Sequence, residues 1–127
     1  GGSATEYRFD AVRGGRTVAS VTRTPMTSMS LAVEADRTEL VEDKTYDAAA
    51  IRIRAVDEHG NTLPFAGDPV MFETEGVIEL IGPSVVPLQG GMTGTYIKTT
   101  GKAGTGTLRI RLAGGNAKEI HFQVTVD

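Results

Sequence analysis

Apolar and polar residues alternate along most of this chain, the period expected of half-buried β-strands. Between Ala50 and Glu58, Ile51, Ile53 and Ala55 fall on one face and Arg52 and Arg54 on the other. The pattern returns in 107–113, with Leu108, Ile110 and Leu112 inward and Arg109 and Arg111 outward. In 119–127, Ile120, Phe122, Val124 and Val126 share a face. Val70 and Phe72 oppose Met71, Glu73 and Glu75, and further strands are expected over 77–82 and 92–99. The Pro-bounded segment from Pro83 to Pro87 reads as a loop. No segment keeps a helical period. The best candidate, Asp47–Ala50, runs at once into the alternating Ile51–Arg54. Turns are expected at 57–62 and at Gly114-Gly115-Asn116, where residues that tolerate left-handed geometry cluster.

Strands recurring about every ten residues between Gly, Asn and Pro turns favour two packed antiparallel sheets over a barrel. From Ser28 to Asp127 about seven strands are expected, an all-β, immunoglobulin-like antiparallel sandwich. Its core would hold Leu31, Val33, Leu40, Ile51, Ile53, Val70, Phe72, Ile97, Leu108, Ile110, Phe122 and Val124. The N-terminal part reads differently. Residues 1–3, Gly-Gly-Ser, look like a cloning remnant, and residues 4–24 carry a self-contained hairpin pattern around Arg13–Arg16. Thr24–Ser28 reads as a linker, with Pro25 supplying no backbone donor. A lone hairpin is marginal in water. Residues 4–24 are therefore expected either to end a preceding domain or to add to an edge of the sandwich at 29–127.

Composition narrows the chemistry. The 127 residues are 39% hydrophobic and 23% charged, which describes a globular domain. A formal charge of −3 argues against a nucleic-acid partner. No apolar run approaches the ~18 residues of a membrane-spanning helix, so no membrane partner is expected. The absence of cysteine excludes disulfides, thiolate metal sites and cysteine nucleophiles, and the compartment stays open.

The Gly-rich stretch 99–112, TTGKAGTGTLRIRL, carries a lysine and resembles a phosphate loop at first sight. A Walker loop requires Ser or Thr after its lysine, whereas Ala103 follows Lys102. A helix N-terminus is also required to meet the phosphate, and an alternating strand follows instead. The stretch reads as a strand-connecting turn. The Arg52/Arg54 and Arg109/Arg111 pairs read as a solvated sheet face, with Glu73 and Glu75 expected on the strand beside Arg109 and Arg111. His59 falls in a turn and His121 on an outward strand position, too far apart for a metal or a catalytic triad. Asp43, Asp47 and Asp57 lack the spacing of a calcium loop. No catalytic, cofactor-binding or metal residue is assigned, and no cofactor is expected. Phe72 and Phe122 belong to inner faces. That leaves Tyr46, Phe65 and Tyr96 as candidate carbohydrate contacts, since a sugar ring stacks on an exposed aromatic.

At 56–82 the sequence becomes specific. The run V-D-E-x-G-N-x-x-P, then V-x-F-x-x-x-G, then I-G resembles the C-terminal immunoglobulin-like domain of bacterial glycoside hydrolase family 2 enzymes, mostly β-galactosidases. Upstream, Leu31 to Asp57 is similar to that family's L-x-x-x-A-D-R-x-x-L pattern and the aspartates after it. Downstream, Gly90-Gly91 and the T-G-x-A-G-T at 100–105 are similar too. The resemblance spans about residues 29–127, and the first hairpin is similar to the end of the domain preceding it in those enzymes. Residues 82–91 are shorter than the G-N-G-x-P insert of many members. Invasin- and intimin-type adhesin repeats share part of the pattern, but lack the A-D-R-T-x-L segment and the hairpin. The resemblance implies a non-catalytic accessory domain whose partners are the neighbouring domains of a glycosidase, with carbohydrate as a further candidate. The catalytic glutamates of such enzymes lie in a separate barrel.

Overall fold

A computed structural model describes residues 10–12, 17–19, 29–113, 115 and 117–127. Strands β1 (Asp10–Val12) and β2 (Thr17–Ala19) pair antiparallel. The rest of the hairpin expected over 4–24 lies outside the described residues, as does the Thr24–Ser28 linker.

From Ser30 onward the described chain is strands and turns. They are β3 (Ser30–Ala35), β4 (Glu39–Glu42), β5 (Ala48–Val56), β6 (Pro69–Gly76), β7 (Ile78–Ile81), β8 (Val85–Pro87), β9 (Met92–Thr99), β10 (Gly104–Leu112) and β11 (Ala117–Val126). One sheet has the order β4-β11-β10-β6-β8 and the other β3-β5-β9-β7. Every pairing within the two sheets is antiparallel except β4 with β11, which is parallel. The segment from β3 to β4 therefore belongs to both sheets: β3 edges one, and β4 crosses over to edge the other. This is an immunoglobulin-like β-sandwich.

The alternation along the strands is what packs the two sheets. Leu40, Ile51, Ile53, Val70, Ile97, Leu108, Ile110, Phe122 and Val124 are fully buried between them, with Leu31 and Phe72 nearly so. Val33, expected in the core, is half-buried and packs against it from edge strand β3. Ile78 and Leu88 complete the core from β7 and from the turn before β9.

Ala48 pairs with Lys98 of β9, so Asp47–Ala50 leads directly into β5, as the alternation at Ile51–Arg54 predicts. The structure departs from the sequence reading elsewhere. The segment Pro83–Pro87 is not wholly loop, because Val85–Pro87 forms β8 along β6. The sandwich accordingly has nine strands instead of about seven. The turn expected at Gly114–Asn116 lies partly outside the described residues, and Gly115 N–H donates to the Leu112 carbonyl at 3.0 Å.

Candidate functional site

The polar residues that make the sequence distinctive lie where strands leave one sheet for the other. Asp36 ends β3; its N–H donates to the Ala50 carbonyl, and its carboxylate accepts the Ala50 N–H, both at 3.0 Å. Arg37 reaches Asp47 at 3.1 Å. The Asp47 carboxylate also accepts Val41 N–H at 3.0 Å and Ala48 N–H at 2.9 Å. Its backbone exchanges hydrogen bonds with Thr99, donating to the hydroxyl and accepting the Thr99 N–H, both at 2.9 Å. Asp47 thereby ties β4, β5 and β9 together at one end of the sandwich. Backbone N–H groups that leave a sheet need other acceptors, and this aspartate supplies them to an exposed Val41 and a part-buried Ala48 where the strands diverge.

Asp57 has the same kind of role at the opposite end of β5. Its carboxylate accepts Asn61 N–H at 2.9 Å and His59 N–H at 2.8 Å, closing a turn in which Gly60 stands at φ 82°. The Asn61 N–H above all, then the His59 N–H, hold the carboxyl below its ordinary value of 3.8. Two further glycines set the spacing of the sheets. Gly76 takes φ 85° where the chain switches sheets, and a Cβ there would strike the Thr105 carbonyl. Gly106 faces the Ile78 side chain so closely that a Cβ would lie 2.7 Å from it. The T-G-x-A-G-T stretch is thus a turn from β9 to β10. Gly101 N–H donates to the Glu42 carboxylate at 2.9 Å, and Thr100 donates to the Val77 carbonyl at 3.0 Å.

The outer face of the five-stranded sheet carries the charges. Arg109 is the Cα partner of Glu73 on β6 and of Glu119 on β11. Its guanidinium lies 2.6 Å from Glu119 and 4.0 Å from Glu73. The hydrogen bond and charge of Glu119, then the charges of Glu73 and Glu75, raise its pKa. Glu75 and His121 are both Cα partners of Thr107, whose hydroxyl is 3.1 Å from His121 Nδ1. These are the cross-strand pairs of a solvated face. The carboxylates stand side by side on one open surface, whereas glycoside hydrolysis needs two that oppose each other across a cleft. Among the described residues no three His, Asp or Glu side chains group as metal ligands.

The aromatic candidates divide. Tyr46 is 52% exposed and Tyr96 56%, and both stand at the outer face of the four-stranded sheet. Lys98, two residues from Tyr96 on the same face of β9, holds its ammonium 4.9 Å from the Tyr46 ring centre. Phe65 is 82% exposed but sits in the loop joined to Ala55 and Gly91, at the far end of that sheet. Sequence reasoning missed Ile81 and Met92, which join Tyr96 on this face at 38% and 49% exposure. Their positions in the strand alternation were the available signal.

A family model described as glycoside hydrolase family 2 C-terminal domain 5 matches residues 31–121. This chain belongs to that family. A β-galactosidase of Rhizobium radiobacter is 34% identical over 96 residues, covering 76% of this chain and 69% of that sequence. A β-galactosidase of Thermoanaerobacter pseudethanolicus is 38% identical over 74 residues, 58% of this chain but only 10% of that enzyme. A glycosyl hydrolase family 2 structure from Bacteroides cellulosilyticus superposes with a TM-score of 0.72 at 18% identity, over 84% of this chain and 15% of its own. The sandwich is shared more widely. The Yersinia pseudotuberculosis adhesin InvE superposes over 88% of this chain, with a TM-score of 0.62 at 15% identity. That likeness is one of fold. The family 2 C-terminal domain is distinguished by its sequence match over residues 31–121, the span that holds the turns and sheet crossings above.

Proposed function

We propose that this family 2 C-terminal domain is a non-catalytic accessory module of a β-galactosidase-like hydrolase, packed against the other domains of that enzyme. The observation that carries this reading is the employment of its distinctive residues. Asp36, Arg37, Asp47, Asp57 and Gly76 serve strand junctions and turns, and Gly106 the contact between the sheets, while the charged residues on the outer sheet face are taken up in cross-strand pairs. The chain spans 69% of the Rhizobium radiobacter sequence but only 10% of the Thermoanaerobacter pseudethanolicus enzyme, and the second share agrees with an accessory part. The hydrolysis of an O-glycosyl bond would then belong to a separate domain, and none of its catalytic residues to this one.

The test is substitution in the full-length enzyme. Glu73→Gln, Glu75→Gln and Glu119→Gln, made singly, are expected to leave kcat/KM on a nitrophenyl galactoside within about twofold. They should also leave both limbs of the pH–rate profile in place. A loss of about a hundredfold or more in any of them would assign an acid or base to this domain.

A further inference from the structure

We infer that the outer face of the four-stranded sheet is where this domain docks onto another domain of its own polypeptide. The inference rests on the accessory reading above and gives it a surface. The two outer faces differ in kind. The five-stranded sheet presents Arg109 bridged to Glu119, with Glu73, Glu75 and His121 around it. The four-stranded sheet presents Tyr96, flanked by Ile81 of β7 and Ala50 of β5, then Met92 further along β9. Gly94, between Tyr96 and Met92, adds no side chain to the face. Exposed Tyr, Met and Arg are what the centres of protein interfaces are made of, with Lys and Glu at the rim. Here Lys98 and Glu79, Cα partners, take the rim position.

Beside Met92 a shallow hollow of about 540 Å³ opens between Arg52 and Arg54, with Ala32 and Glu34 on its β3 side. Arg54 donates to the Thr62 hydroxyl at 2.7 Å, and Arg52 is the Cα partner of Glu34. With two arginines and one carboxylate lining it, the hollow has a net positive charge that favours an incoming Asp or Glu. The partner surface is therefore an apolar ridge carrying at least one carboxylate.

Area decides between a tethered domain and a second free copy. The 27 strand residues of β3, β5, β9 and β7, at 3.4 Å rise and 4.8 Å spacing, give a face of about 440 Å². A stable complex of free partners needs roughly 800 Å² on each side. A tether holds its partner at about millimolar effective concentration, where a smaller interface suffices. A sugar is a poorer occupant. The Lys98 ammonium already lies over the Tyr46 ring, and the cross-strand partners of Tyr96 are the apolar Ile81 and Ala50, with Lys98 and Glu79 two residues further along the strands.

The 127 residues contain no cysteine, so single thiols report each face. Ala50→Cys and Glu79→Cys probe the docking face while keeping Tyr96 and Met92, and Glu75→Cys probes the charged face. Maleimide labelling, read by peptide mass spectrometry, is compared between this chain alone and the full-length enzyme. The first two thiols are expected to react about tenfold more slowly in the full-length enzyme and the third at the same rate in both. Adding Tyr96→Glu to the full-length enzyme should restore fast labelling. Equal rates at Ala50→Cys and Glu79→Cys would overturn the inference. So would protection in the isolated chain that grows with its own concentration, which means a second copy, or that follows added galacto-oligosaccharide, which means a sugar site. Turnover by the same full-length preparation is read separately: its absence would count against the accessory reading, not against the docking face.

Discussion

Single residues carry the family's signature because each solves a local backbone problem. Asp47 satisfies two N–H groups and Arg37 where β4 and β5 part. Asp47→Ala removes hydrogen bonds whose donors water can reach, and is expected to cost roughly 0.5–1.5 kcal/mol, measured by urea unfolding. Asp57 adds a pH dependence. Its folded pKa is depressed, so its contribution is fully present above the ordinary value of 3.8 and is lost as pH falls through the folded pKa. Melting temperature followed from about pH 5 down to about pH 2 should fall less steeply in Asp57→Asn than in the parent chain. An unchanged acid limb would remove Asp57 from the account. The sequence shows that these aspartates follow a pattern. It does not show their partners, because Asp47 meets Thr99 and Asp36 meets Ala50 only after the sheets form.

Among the elements, the long strands β5, β6, β9, β10 and β11 are legible from their alternation alone, and so is the face each buries. Period-two patterning needs no tertiary information. The short edge strands are less so. β8 has three residues, one of them Pro87, and exists because β6 offers it an edge. β4 buries only Leu40 fully, and its parallel partner β11 lies at the other end of the sequence. The two sheets also couple through one contact that the sequence marks only as a glycine. Gly106→Ala overpacks against Ile78 and is expected to cost roughly 1–3 kcal/mol. Ile78→Ala alone should cost roughly 2–5 kcal/mol by leaving a cavity. In the double variant the two 2.7 Å contacts with the Ile78 Cγ atoms are gone and only the Cβ at 3.1 Å remains, so the two costs should fall short of additive by roughly 0.5 kcal/mol or more. Strict additivity by chemical denaturation would mean that the two sheets do not meet at this point.

At the scale of the whole molecule, one outer face is a set of cross-strand charge pairs, and the other carries exposed Tyr96, Ile81 and Met92 among its charges. That asymmetry is partly legible in the sequence. The alternation sets Arg109 outward with Glu73 on the strand beside it, and the structure pairs the two. The alternation also sets Tyr96, Met92 and Ile81 outward, but that they gather on one face follows only from the pairing of β7 with β9. The sandwich itself does not tell hydrolase accessory domain from adhesin, since both share it. The family match and the use of its motif residues separate them. The most direct measurement is turnover of a nitrophenyl galactoside by this 127-residue chain, set beside the full-length enzyme in the same assay. The full-length enzyme should hydrolyse the substrate, and the isolated chain should release nitrophenol no faster than buffer. Hydrolysis that follows the isolated chain through purification and disappears in Glu73→Gln or Glu75→Gln would contradict the account.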